Sequence, residues 1–120
     1  MDITIDPASA TPPYEQVRLH IAALAADGVL PAGTRLPPVR RLAEDLGLAV
    51  NTVARAYREL EQAGLVETRG RHGTVITARA GATPVEAQQA AAAYATRIRA
   101  LGVPAETALS LVKAALEDQT

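Results

Sequence analysis

Apolar side chains recur along this chain in two rhythms. From Tyr14 to about Ala26, Val17, Ile21 and Leu24 come three and four residues apart, the spacing of one helix face. Glu15, Arg18 and His20 fall on other faces. A second helix is predicted after Pro37-Pro38, with Val39, Leu42, Ala43 and Leu46 inward. A third runs from about Val50 to Ala63, with Val53, Ala56, Tyr57 and Leu60 on one side. Gly28, Gly47 and Gly64 each stand where a helix should stop, because glycine accepts the left-handed turn that ends one. The rhythm then changes to two. Leu65-Val66-Glu67-Thr68 and Thr74-Val75-Ile76-Thr77 alternate and are β-branched, and the loop Arg69 to Gly73 joins them, which predicts a hairpin. Thr34-Arg35-Leu36 could add a short strand.

The ends carry their own patterns. Residues 1–11 read as an extended arm, with Ile3 and Ile5 alternating against polar neighbours. Residues 12–79 hold the three helices and the hairpin. Residues 80–83, Ala-Gly-Ala-Thr, read as a linker. Residues 84–120 are expected to form two helices. In the first of them Ala87, Ala91, Tyr94, Ile98 and Leu101 make one seam, and in the second Leu109, Val112 and Leu116 point inward. The predicted fold class is therefore mainly α with a small β-hairpin: a winged helix-turn-helix followed by two C-terminal dimerisation helices.

The tight turn at Gly47 narrows this further. Ala43 precedes it by four residues and Val53 follows it by six. A helix-turn-helix needs a small residue where its helices touch, a glycine at the reversal and an apolar lock on the second helix. The outer face of that second helix then carries Asn51, Thr52, Ala54, Arg55, Arg58 and Glu59.

Composition mostly excludes. With no cysteine and two distant histidines, disulfides and a metal centre are not expected, and no cofactor is called for. No paired carboxylates, Ser–His pair or phosphate-cradling glycine loop argue for an enzyme. The start Met1-Asp2-Ile3-Thr4 lacks the basic and apolar regions of a signal peptide, and no apolar run reaches membrane-spanning length. A cytoplasmic protein is expected. Net charge is −1, so only the placement of charge can favour nucleic acid. Seven arginines, at 40, 41, 55, 58, 69, 71 and 79, fall between the second helix and the end of the hairpin.

Four segments, Pro13 to Val17, Leu30 to Ala43, Asn51 to Glu61 and Gly64 to Val66, resemble in order and separation the DNA-binding domain of the GntR family of bacterial regulators. The short tail resembles its YtrA-like subgroup. The resemblance implies a homodimeric transcription regulator, a repressor by family habit, on double-stranded operator DNA. It implies that Arg40 touches a base or phosphate, against a plain ion pair to Glu44. Arg41, Ala49, Val50, Asn51 and Thr52 would surround the start of the recognition helix. Arg55 and Arg58 would grip the backbone, unless they pair with Glu59 and Glu61. Arg69, Gly70, Arg71 and His72 would lie against the minor groove. Ala87, Ala91, Tyr94, Ile98, Leu101, Leu109, Val112 and Leu116 would form the dimer interface. The sequence neither requires nor names a small-molecule effector, and the cleft of the last two helices in the dimer is where one could bind.

Two departures stand out. Val50 and Ala54 replace arginines that many members carry, which favours contact with thymine methyls over hydrogen bonds to guanine. Ala49 replaces a polar helix cap, at about 1 kcal/mol. A winged helix serving as a protein-interaction module is the other reading. It would need an apolar patch where Asn51, Thr52, Arg55 and Arg58 stand.

Overall fold

The computed structural model describes residues 1–118. The last two positions of the expected two-helix region lie outside the described residues. Six helices and one two-stranded antiparallel sheet occur among them: α1 (Pro13–Ala26), α2 (Val39–Leu46), α3 (Val50–Gln62), β1 (Val66–Thr68), β2 (Thr74–Ile76), α4 (Ala78–Ala82), α5 (Val85–Ala100) and α6 (Ala105–Glu117). A short 3-10 turn, Gly70–His72, separates the strands. Val66 faces Ile76, and Thr68 faces Thr74.

The chain forms two compact units, residues 1–88 and 89–120. In the first, Val17 and Ile21 of α1, Leu42 and Ala43 of α2, and Val53, Ala56 and Leu60 of α3 meet in one core with Leu65, Val66 and Ile76. The apolar faces read from the sequence are thus the buried ones. Gly47 turns the chain at φ 67°, and the Leu48 amide donates back to the Ala43 carbonyl at 2.9 Å. The 34–36 segment borders the hairpin as a third, irregular strand. Leu36 donates to the Thr74 carbonyl, Ile76 donates to Thr34, and Arg35 bridges Val75.

The residue 1–11 arm is docked on the first unit: Ile3 is buried, Ile5 packs on the core, and the Gln16 amide clamps both backbone groups of Asp6. Glu15 and Arg18, off the apolar face of α1, are buried as well, because Glu15 pairs with Arg18 and Arg18 also reaches Glu59 on α3 and Gln88 on α5. The 80–83 linker is instead mostly helical. Ala78–Ala82 forms a single turn whose Ala80 is buried, and the two units divide at Gln88–Gln89, inside α5. Small side chains made that stretch look like a spacer, whereas here they let it pack closely.

In the second unit the Tyr94 hydroxyl donates to the Ala108 carbonyl at 2.8 Å, joining α5 to α6. Ala108 is its one buried apolar residue among those described. Leu109 and Leu116, expected to point inward, are 68% and 70% exposed in the single chain. A pair of thin, alanine-rich helices has no interior deep enough to cover them.

Candidate nucleic-acid interface

The helix-turn-helix fixes which face of α3 is free. Val53, Ala56 and Leu60 have no measurable exposure, and Tyr57 keeps only 7%. A helix with one face sunk that deeply must present the other, on which Asn51, Arg55 and Arg58 are exposed and Thr52 and Ala54 half-buried. Ala49 precedes the first turn in extended conformation and gives no side-chain cap, as its methyl requires. The Thr52 and Val53 amides donate to the Ala49 carbonyl, so the earlier amides are the ones left for an outside acceptor.

Arg40 and Arg41 are exposed at the start of α2. The helix pair that forms there is Arg41 with Asp45, at 3.8 Å, rather than Arg40 with Glu44. Arg40, Arg58 and Arg71 make no ion pair among the described residues. Glu61, the expected partner of Arg58, accepts a hydrogen bond from the Thr68 hydroxyl instead. In the hairpin loop Arg69 pairs with Glu67, while Gly70, Arg71 and His72 are exposed.

Arg55 is the most engaged of these cations. Its Nε lies 3.0 Å from Glu59 Oε2, one turn along α3, and its guanidinium carbon sits 3.7 Å above the centre of the Tyr14 ring. The Glu59 hydrogen bond raises the Arg55 pKa further, burial opposes it, and the charged form is the one present. Glu59 faces Arg18 with its other oxygen, Oε1 to Nε at 3.2 Å.

Three long-range contacts escape a reading of the chain. Arg35 lies across the base of the hairpin loop, its Nε 3.2 Å from where a side chain at Gly73 would begin. Arg79 reaches the end of α3, its Nη1 3.5 Å from the Ala63 carbonyl. Arg18 ties α1 to α3. Each pairing spans a sequence gap that no local pattern marks.

Residues 13–76 match the profile of the bacterial regulatory proteins of the gntR family. The chain belongs to the GntR family. Over 109 residues it is 48% identical to the HTH-type transcriptional regulator Rv1152 of Mycobacterium tuberculosis, covering 89% of this chain and 88% of that protein. It is 44% identical over 84 residues to the HTH-type transcriptional repressor YtrA of Bacillus subtilis, covering 70% of this chain and 65% of that protein. The solved structure of YtrA from Sulfolobus acidocaldarius, a GntR-family transcription factor, superposes with a TM-score of 0.62 at 32% identity, over 83% of this chain and 97% of that one. This GntR protein is therefore a transcription regulator with a DNA-binding winged helix, and not an enzyme. Among the described residues no helix is long and apolar enough to cross a membrane.

Proposed function

We propose that this GntR protein is a repressor that binds a palindromic operator as a homodimer. α3 enters the major groove and the 69–73 loop lies at the minor groove. The observation that carries this reading is the division of α3: a fully sunk apolar face backs an outer face of Asn51, Thr52, Arg55 and Arg58. Val50, 44% exposed, is the one large apolar side chain exposed there, so α3 offers little to an apolar protein partner. Among the described residues no carboxylate pairs with Arg40, Arg58 or Arg71, which suits phosphate forks or base edges. Arg41, Ala49 and Gly70 border the same surface.

The homodimer reading is supported by the second unit. Leu101, in the turn after α5, and Leu109, Leu111 and Leu116 on α6 are all more than half exposed, and the two helices bury almost nothing of their own. A second copy covering them would supply the two-fold axis that a palindrome requires. The seam of Ala87, Ala91, Tyr94 and Ile98 on α5, with Val112 on α6, is assigned to the same contact. The repressor direction follows from likeness to a protein named as a repressor.

The test is selection of duplexes from a random pool by the full chain, followed by binding titrations across salt concentrations. A two-fold symmetric consensus, with affinity falling steeply as salt rises, is expected. Failure to enrich any sequence, or binding indifferent to salt, would reject the reading.

A further inference from the structure

A buried arginine on α1 stands behind the outward arginine of the recognition helix. Arg18 keeps only 9% of its surface, and of its two carboxylates Glu15 is its own while Glu59 is shared with Arg55. Nη2 holds Glu15 Oε1 at 3.2 Å and Nη1 holds Gln88 Oε1 at 3.2 Å. These two contacts fix the guanidinium in place. Its third donor, Nε, is buried and without a hydrogen bond. Glu59 Oε1 lies 3.2 Å away but off the direction of the N–H. Glu59 is turned instead toward Arg55, whose Nε its other oxygen holds at 3.0 Å.

We propose that Glu59 is a shared counter-ion, passing from Arg55 to the waiting Nε of Arg18 when Arg55 takes a DNA phosphate. The proposal rests on the reading that the outer face of α3 meets DNA. Arg18 and Glu59 are then positioning residues that set how readily Arg55 is released. The exposures decide the direction of the exchange. The Arg55 side chain is 50% exposed, so its pair with Glu59 is weak and open to competition. The Arg18 side chain is 11% exposed and cannot swing out, so the carboxylate must come to it. A phosphate that draws Arg55 away would ordinarily strand Glu59 beside a polyanion. Here Arg18, already 3.2 Å from Glu59, remains as its cation, and a turn of the freed carboxylate onto the Nε–H satisfies a donor that is orphaned in the free protein. Tyr14, stacked on Arg55, holds the guanidinium near the surface meanwhile.

The test uses the full chain and a duplex recovered by selection. The arginine Nε–H resonances are followed by nitrogen-15 NMR, with and without the duplex. The Arg18 Nε–H is expected to move downfield and to exchange more slowly with water once DNA is bound. In the variant Arg55→Gln, Glu59 is free from the outset, so the Arg18 signal should hold that position without DNA. A second arm measures salt dependence. Arg55→Gln should lower the slope of log affinity against log salt by about 0.9 in the parent chain. In the Arg18→Gln background, where Glu59 has only Arg55 to hold, the same change should lower it by much less. Arg18→Lys, which keeps a cation, should restore most of the difference. If Arg18→Gln does not fold, the resonances of the unaltered chain still decide. A duplex that binds tightly while the Arg18 signal stays unmoved overturns the exchange and leaves DNA binding intact. A chain that binds no duplex overturns both.

Discussion

The Tyr57 hydroxyl donates a 2.6 Å hydrogen bond to the Pro37 carbonyl. It ties the middle of α3 to the residue pair that opens α2, so the recognition helix is held at both its turn and its centre. Burial pushes the Tyr57 hydroxyl well above the ordinary tyrosine range. The folded chain therefore keeps this proton at pH values where the unfolded chain releases it. Stability from Tyr57 is complete below about pH 10, the unfolded value, and is lost as pH rises beyond it. Tyr57→Phe should cost about 0.5–1.5 kcal/mol at neutral pH and flatten the alkaline decline. Denaturant titrations of both chains at neutral and alkaline pH check this. Equal alkaline losses in both would refute it.

Arg40 is exposed and unpaired, whereas its neighbour Arg41 leans on Asp45. Arg40→Ala should therefore lower operator affinity by about 1–3 kcal/mol if its fork meets a guanine, with discrimination lost at that one base pair. Arg41→Ala should cost less. Thermal melts of the free proteins should be nearly unchanged, since neither side chain supports the core. A consensus equally sharp for the parent and for Arg40→Ala would remove Arg40 from base readout.

How legible was this protein? The core was, because Val17, Ile21, Leu42, Val53 and Leu60 follow local periods, and a period tells a residue only about its own helix. Gly47 and Gly64 marked helix ends correctly, since a positive φ is a local demand. The polar interior was not legible. Arg18 lies 41 positions from Glu59 and 70 from Gln88, and nothing in α1 announces either partner. Ala80 misled for a related reason: a small residue reads as loose, although it is also what tight packing uses. On the interface surface the pattern located the cations but not which were already paired. Arg55 and Arg58 look alike in sequence, and only the fold gives one of them Glu59 and leaves the other free.

Val50 opens α3 with 44% of its surface exposed, and Ala54 lies one turn further on the same side. Neither side chain can donate or accept a hydrogen bond. Their natural complement in the major groove is the thymine methyl group. Replacing the thymines of each half-site with deoxyuridine removes those methyls and alters nothing else at the base edge. Each contacted methyl is worth about 0.8 kcal/mol, so affinity should fall about fourfold per thymine touched. In Val50→Ala the loss at one of these positions should shrink. Indifference of the parent chain to deoxyuridine at every position would exclude methyl readout.

Leu109 and Leu116 lie seven residues apart on α6, two turns along one face, and both are about two-thirds exposed. A charge at either site costs the single chain little, because neither is packed within it. The same charge buried against a second copy would be left without a partner, at several kcal/mol. Leu109→Asp with Leu116→Asp should thus give a monomer by sedimentation while the 1–88 unit keeps its melting transition. On DNA that monomer should hold a single half-site, with the affinity for a full palindrome reduced to that for either half. Ala105→Asp, at the exposed N-terminal end of the same helix, serves as the control for added charge. If the double variant still sediments as a dimer, the contact lies elsewhere on the chain, and the two-fold axis of the operator complex must be sought away from α6.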